Sequence, residues 1–228
     1  RVTARHGAMT LDTREITSCI AMVSPASENN EAFLHVGSRL SEAGVKTPSV
    51  WAQSIRQGWF LLEDFGDQQL LSLLSSASAP QFYKSAFAAL LRQISIPCEK
   101  AGIPRYDAPR LRTELDVFPE WFLARLLRVE IDESVRQRFA ALCEYLIESL
   151  AEQPSVWVHR DFHSRNLMVL EVGELGVIDF QDAVIGPITY DPVSLLKDCY
   201  IRWPRNQQLQ WLDAYFEQIK LFAEEPPS

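Results

Sequence analysis

His159-Arg160-Asp161-Phe162-His163-Ser164-Arg165-Asn166 is followed, thirteen residues after its Asn, by Asp179 in Ile178-Asp179-Phe180. An Asp, four further residues, an Asn and then a strand-borne Asp is a donor set suited to phosphoryl transfer. That reaction needs an in-line nucleophile and cations over the phosphates, so one carboxylate must face the hydroxyl while an amide and a second carboxylate hold magnesium. Short apolar stretches frame the motif: Val156-Trp157-Val158, 167–170 and 176–178 read as strands, the last two joined by a turn around Gly173. Such a hairpin returns Asp179 to the side of Asp161 and Asn166. Asp161 is then the catalytic residue that orients the hydroxyl and takes its proton, Asn166 and Asp179 are the metal ligands, and His159 braces the loop by hydrogen bonding.

The neighbours of this set have less specific readings. His163 and Arg165 either reach substrate or phosphate or tie the loop to nearby carboxylates, and Gln181 and Asp182 carry the same two readings. Asp191, after Gly186-Pro187-Ile188-Thr189-Tyr190, is placed to cap a helix carrying Val193, Leu195 and Leu196, a structural role. Trp121, Trp203 and Trp211 read as core before they read as sugar platforms.

Working outward, 16–23 is an apolar, β-branched run ending at Pro25 and predicts a strand, with 1–3 as the tail of another. Phe33, Val36, Leu40 and Ala43 then recur at helical spacing from Asn30, and Gly44 supplies a stop. Residues 50–52 and 59–62 read as strands joined through Gln57-Gly58, leading into a hinge at Glu63-Asp64-Phe65-Gly66-Asp67. Beyond the hinge the pattern turns to long helices, after a small Ser/Ala loop at 75–79. The clearest helix spans 132–152, with Val135, Phe139, Leu142, Leu146 and Leu150 on one stripe. The fold class expected is α+β, a protein-kinase-like two-lobed fold. A small β-rich N-lobe and hinge occupy 1–67, and a larger, mainly helical C-lobe occupies 68–228.

With 228 residues and 47% hydrophobic content, the chain can bury a sizeable core. Its 22 basic and 30 acidic residues give a net charge of −8, which argues against a large basic surface for nucleic acid or anionic lipid but leaves room for local basic pockets. Cys19, Cys98, Cys143 and Cys199 are scattered, without the spacing of a zinc site or a disulfide framework. No apolar run approaches the roughly 20 residues of a membrane helix, and no signal peptide is evident. A cytoplasmic location, with no nucleic-acid or membrane partner, is the expectation. The start at Arg1 and the close at 224–228 lack finishing elements, so further sequence is expected at both ends, including the start of the N-lobe.

The loop resembles that of the aminoglycoside phosphotransferase and choline kinase superfamily, with Asp161, Asn166 and Asp179 matching its catalytic and metal-binding positions one by one. In protein kinases the metal-binding Asp opens a long peptide-docking segment. Here about a dozen residues separate Asp179 from Asp191, no Gly follows Phe180 and no Ala-Pro-Glu occurs, which favours a small-molecule acceptor. Residues 62–67, 114–122, 159–168, 177–183, 186–191 and 194–200 are similar to one branch, the cell-wall-recycling kinases that phosphorylate N-acetylmuramate and N-acetylglucosamine at the anomeric hydroxyl.

That resemblance implies ATP and Mg2+ as cofactors and a sugar 1-phosphate as product. The anomeric hydroxyl is more acidic than an ordinary alcohol, which suits a carboxylate base at Asp161. It also implies that Glu63 and Phe65 meet the adenine through backbone groups. A sugar pocket would draw on Arg112, Glu114, Asp116 and Trp121, with His163 and Arg165 as further substrate contacts. Two features depart from the pattern. No Lys precedes Lys46, so the usual strand Lys is absent, with Met22 near its place, and no glycine-rich phosphate loop is visible. Other acceptors remain open: a cationic aminoglycoside or choline would want an acidic pocket, homoserine is a further option, and the carboxylate of N-acetylmuramate would want Arg or Lys. From another class, the absent Lys and loop would suit a non-catalytic kinase-fold nucleotide-binding module.

Overall fold

The computed structural model describes residues 2–3, 9–11, 14–16, 18–25, 28–99, 101–170 and 173–224. Arg1 and 225–228, on which the expectations about the chain ends bear, lie outside them. Strands β1 (Val2–Thr3), β2 (Met9–Leu11), β3 (Arg14–Ile16) and β4 (Ser18–Val23) come first, then α1 (Asn30–Glu42), β5 (Val50–Ser54) and β6 (Trp59–Glu63). The predicted strand over 16–23 is divided. Ile16 pairs with Met9 in the β2–β3 hairpin, while β4 joins an antiparallel sheet of order β1-β4-β6-β5.

Helix α1 follows its sequence signals at both ends. Asn29 accepts from the Ala32 N–H at 3.0 Å, and Gly44 at φ +82° lets Val45 N reach Leu40 O at 2.9 Å, closing the helix with buried Leu40 against Val45. Its inner face meets the sheet through Phe33 and Phe60, whose rings lie 5.5 Å apart. Between β5 and β6, Gly58 has φ +67°, and a Cβ there would lie 2.0 Å from Ser24 O, so the turn needs glycine twice over.

Helix α2 (Ala79–Ile94) runs through the larger part of the core. Tyr83, Ala86, Phe87 and Leu90 form its buried face, and α6 (Arg205–Glu224) packs on it through Tyr83 against Trp211 at 4.4 Å and Phe87 against Tyr215 at 4.9 Å. Trp203 donates to the Tyr83 hydroxyl at 2.7 Å, and Trp203 and Trp211 are buried as the sequence suggested. Trp121 is not, being 54% exposed.

Helix α3 (Ala108–Val117) runs into a π-helical segment, Phe118–Leu126. Pro119 cannot donate to the preceding turn, and the ladder widens until Leu127 N bonds Phe122 O at 3.0 Å. The widened turn leaves Phe118, Trp121 and Phe122 facing outward. Helix α4 (Glu133–Ala151) has the expected extent, with Asp132 accepting from Val135 N at 2.8 Å, but the buried face is not the predicted stripe. Cys143 and Ile147 are buried, whereas Val135, Leu142 and Leu146 are exposed. Helix α3, docking through Leu111 and Leu115, covers the neighbouring line at Ile147, and Leu150, the end of the predicted stripe, packs against the same cluster. Periodicity reports that a helix has an apolar face but cannot choose between neighbouring faces.

Two small antiparallel ribbons follow: β7 (Ser155–Val158) with β10 (Val184–Pro187), and β8 (Leu167–Val169) with β9 (Leu175–Val177). Strand β10 has no counterpart in the sequence reading. The chain passes from β7 to β8 through 159–166 and from β9 to β10 through 178–183, so both loops emerge at the same end of the ribbons. A short α5 (Tyr190–Leu196) comes next. Among the described residues no helix is long and apolar enough to cross a membrane.

Candidate active site

The two loops are bonded to each other before any side chain of interest is considered. Ile178 N donates to Asn166 O at 3.1 Å, and the His159 ring bonds Ile178 O, also at 3.1 Å. A carbonyl can only accept, so Nε2 of His159 carries the proton. Burial lowers the pKa of this imidazole to about 4, and it stays neutral. Phe162 and Phe180, each directly after an Asp, are buried in the core, and Phe180 stacks on Phe33 of α1 at 5.2 Å. Each Phe anchors its loop and leaves the adjacent carboxylate at the surface.

Asp161, Asn166 and Asp179 come together at this place. Asn166 Nδ2 donates to Asp161 O at 3.0 Å and lies 3.4 Å from Asp179 Oδ2, while Gln181 Nε2 donates to Asp179 Oδ1 at 2.9 Å. Arg160 at φ +79° and Asp179 at φ +64° occupy the left-handed region, uncommon for residues with a Cβ. Cross-bonding of the loops holds both in that conformation.

Asp191 does not cap its own helix. It lies in the first turn of α5, buried, and its carboxylate turns to the loop, accepting from His159 N at 2.7 Å, Arg160 N at 3.0 Å and Gln93 Nε2 at 2.7 Å. Those backbone N–H groups are left without acceptors by the left-handed turn at Arg160, which is why the carboxylate goes there. Burial raises its pKa to about 6 despite these three donors. Asp198 performs the same task further along, accepting from Ser164 N at 2.9 Å, from the Ser164 hydroxyl and from Tyr200 N at 2.9 Å. Gln93, Ser164 and Asp198 were not singled out from sequence; the acids spaced seven apart around buried Leu195 and Leu196 were the available signal. Asp191→Ala orphans three buried donors and is expected to cost about 3 kcal/mol of stability, read from denaturant unfolding. A cost within about 0.5 kcal/mol would show that water replaces the carboxylate.

Around Asp161 the electrostatics are mixed. Partial burial raises its carboxyl above the usual range, neighbouring Arg160 pulls it down, Asp179 pushes it up and His163 pulls it down. Among the described residues no side chain or N–H bonds the Asp161 carboxylate, which leaves both oxygens for a substrate. Arg160 is itself held by Glu114, Nη2 to Oε1 at 2.5 Å, and the Tyr106 hydroxyl donates to the other Glu114 oxygen. Glu114 thus ties α3 to the loop. It also lines an open cleft of about 750 Å³ with Phe118, Trp121 and Phe122, and the Arg125 guanidinium lies 4.1 Å over the Trp121 ring.

Asp116 does not join Glu114 and Trp121. Two residues on along a helix it faces elsewhere, paired with Arg112 at 3.1 Å, and Arg112 in turn holds Glu144 at 2.8 Å; Arg112 and Asp116 line a separate cavity. His163 and Arg165 both rest on Tyr200, the ring centroids of His163 and Tyr200 being 5.4 Å apart and the Arg165 guanidinium 4.9 Å over the phenol ring.

At the end of β6, burial alone would raise the Glu63 carboxyl, but bonds from Lys46 Nζ at 2.9 Å, Ser49 N at 3.1 Å and Ser49 Oγ at 2.9 Å hold it below the ordinary value. The first Lys of the chain is therefore engaged here. Phe65 lies against Gly176, where a Cβ would come within 2.5 Å of the ring. Its backbone makes no hydrogen bond among the described residues.

Among the described residues no three His, Cys, Asp or Glu are grouped to hold a metal on their own. The amide oxygen of Asn166 and the carboxylate of Asp179 instead suit a hard cation that takes the rest of its shell from water and phosphate oxygens. The donor set fits magnesium in that respect.

The architecture is that of the protein-kinase-like phosphotransferases. Residues 10–227 match the phosphotransferase enzyme family, APH, and the chain belongs to it. It is 40% identical over 195 residues to the N-acetylmuramate/N-acetylglucosamine kinase of Pseudomonas aeruginosa, covering 85% of this chain and 57% of that protein. The corresponding Pseudomonas putida kinase is 37% identical over 196 residues, covering 86% and 57%. The chain therefore spans little more than half the length of these relatives. Among solved structures, the aminoglycoside phosphotransferase APH(3'')-Id from Streptomyces rimosus, in complex with ADP and streptomycin, superposes with a TM-score of 0.65 at 18% identity, covering 87% of this chain and 79% of that one. Choline kinase LicA from Streptococcus pneumoniae gives 0.62 at 14% identity, covering 86% and 66%. At such identities the likeness concerns the fold.

Proposed function

We propose that the protein transfers the γ-phosphoryl group of ATP to the anomeric hydroxyl of an amino sugar, N-acetylmuramate or N-acetylglucosamine. The observation that carries this reading is the convergence of Asp161, Asn166 and Asp179 on two cross-bonded loops, with the Asp161 carboxylate left open to an incoming hydroxyl. The similarity to the two kinases supplies the acceptor. In this reading the adenine meets the backbone at Glu63 and Phe65, between an N-lobe over 1–67 and a C-lobe over 68–228, in the cytoplasm.

Asp161 accepts the hydrogen bond of the anomeric hydroxyl, fixes its lone pair toward phosphorus and receives its proton late in the transfer. Arg160, tethered by Glu114, and the buried Asp191 and Asp198 keep that carboxylate in place. Magnesium held by Asn166 and Asp179 would neutralise phosphate charge. The aromatic cleft beside Glu114 offers Trp121 to an apolar sugar face.

The test is ADP release by the full-length protein with ATP and magnesium, across N-acetylmuramate, N-acetylglucosamine, choline, homoserine and kanamycin. Turnover of the two N-acetyl sugars above the others is expected. Turnover confined to a cation would move the acceptor to the aminoglycoside or choline class, and nucleotide binding without any turnover would leave a binding module. The pH profile adds a second check. The base must be ionised, and burial raises the Asp161 carboxyl, so kcat/KM should fall as pH drops through a pKa above the ordinary carboxylate range. An acid limb at or below the ordinary value would remove Asp161 as the base.

A further inference from the structure

The chain is acidic overall, yet one cavity beside the catalytic loop is basic. It encloses about 590 Å³ and its wall includes Lys197, Tyr200, Arg202 and Arg205. Among the described residues none of these three cations is ion-paired. The single acid on the wall, Asp198, spends both oxygens on Ser164 and on Tyr200 N. Helix α6 begins at Arg205 with no acidic residue in its first turn, so its N-terminal amides add positive potential to that of the side chains.

The cavity is coupled to the reacting end of the loop. Tyr200 on its wall carries His163 edge-on at 5.4 Å, and His163 N donates to Asp161 O at 2.9 Å. A buried His163 Nδ1 has no hydrogen-bond partner. From the open cavity a line of contacts runs through Tyr200 and His163 to Asp161.

We infer that this cavity receives an anionic substituent of the acceptor, a carboxylate carried on the sugar, through Lys197, Arg202 and Arg205. The inference rests on the amino-sugar reading above and specifies it. Three unpaired cations against one satisfied carboxylate would repel a polycationic aminoglycoside and attract an acidic sugar, so the site selects for charge. The phosphates of the nucleotide are the other source of negative charge, and they belong with Asn166 and Asp179.

The test uses Lys197→Gln, Arg202→Gln and Arg205→Gln, singly and together, in the full-length protein, with steady-state kinetics for N-acetylmuramate, which has a carboxylate, and N-acetylglucosamine, which lacks one. All three side chains are exposed, so folding is not at issue. The triple variant should lower the ratio of kcat/KM for N-acetylmuramate over N-acetylglucosamine by about tenfold or more, mainly through KM, since the three cations would hold the carboxylate and not the reacting hydroxyl. Raising the salt concentration should narrow the same ratio in the wild type. An unchanged ratio overturns the inference while leaving the sugar-kinase reading intact. A rise in KM for ATP with both sugars equally affected assigns the cations to the nucleotide and overturns it too. Failure of the wild type to phosphorylate either sugar removes the sugar-kinase reading, and this inference with it.

Discussion

Asp161→Asn is expected to lower kcat about a thousandfold, in the middle of the range for a lost general base, while nucleotide affinity changes less than about twofold. The substitution is nearly isosteric, and the carboxylate it replaces bonds no other described side chain or N–H, so little of the loop should move. Its backbone carbonyl, which does hold the loop by accepting from His163 N at 2.9 Å and Asn166 Nδ2 at 3.0 Å, is untouched. What disappears is the acceptor for the hydroxyl proton and a negative charge beside Arg160. Single-turnover phosphoryl transfer and nucleotide titration, on the same preparation, measure the two effects separately. A kcat within about tenfold of wild type would mean that the hydroxyl is deprotonated elsewhere or needs no base, and would undo the role given to Asp161.

The parts of this site that were legible in the sequence are those in which chemistry is set by contiguous residues. Asp161, Asn166 and Asp179 lie within nineteen positions of each other, on a strand–loop–strand pattern that apolar runs reveal. Apart from His159, read as a brace and bonded to Ile178 O, the residues that hold them in place were not legible, because each acts across the fold. Gln93 of α2 reaches Asp191 over 98 positions, and Arg160 meets Glu114 over 46. Nothing local marks such a pair. Asp191 shows the difficulty well: beside a helix start an Asp is ordinarily a cap, and only the three-dimensional position of His159 N and Arg160 N makes it a loop anchor instead. Glu114 and Asp116 show it again, since a two-residue separation along α3 sends one to Arg160 and the other to Arg112. For the fold, β10 and the choice of face on α4 depended on which neighbour docks, and the outward turn of Trp121 depended on the π-helical register after Pro119.

Asp179→Asn should separate metal from proton chemistry. The left-handed φ of +64° at this position is one that Asn tolerates better than other residues, and the side chain can keep its bond from Gln181, so the exchange removes charge without disturbing the turn. A neutral amide at a position meant to hold a hard divalent cation weakens it greatly. The loss of magnesium-dependent nucleotide affinity should be about a hundredfold or more, the upper end of what changes in outer ligands alone produce. The measurement is nucleotide titration with magnesium and again with a chelator. The variant and the wild type should differ in the first and agree in the second, the reverse of Asp161→Asn, for which both titrations should match the wild type while turnover collapses. If Asp179→Asn weakened nucleotide equally in both conditions, the carboxylate would be holding the loop and not a cation. The metal would then have to be carried by Asn166 with groups of the nucleotide alone, a site with too little protein charge to bind it before the phosphates arrive.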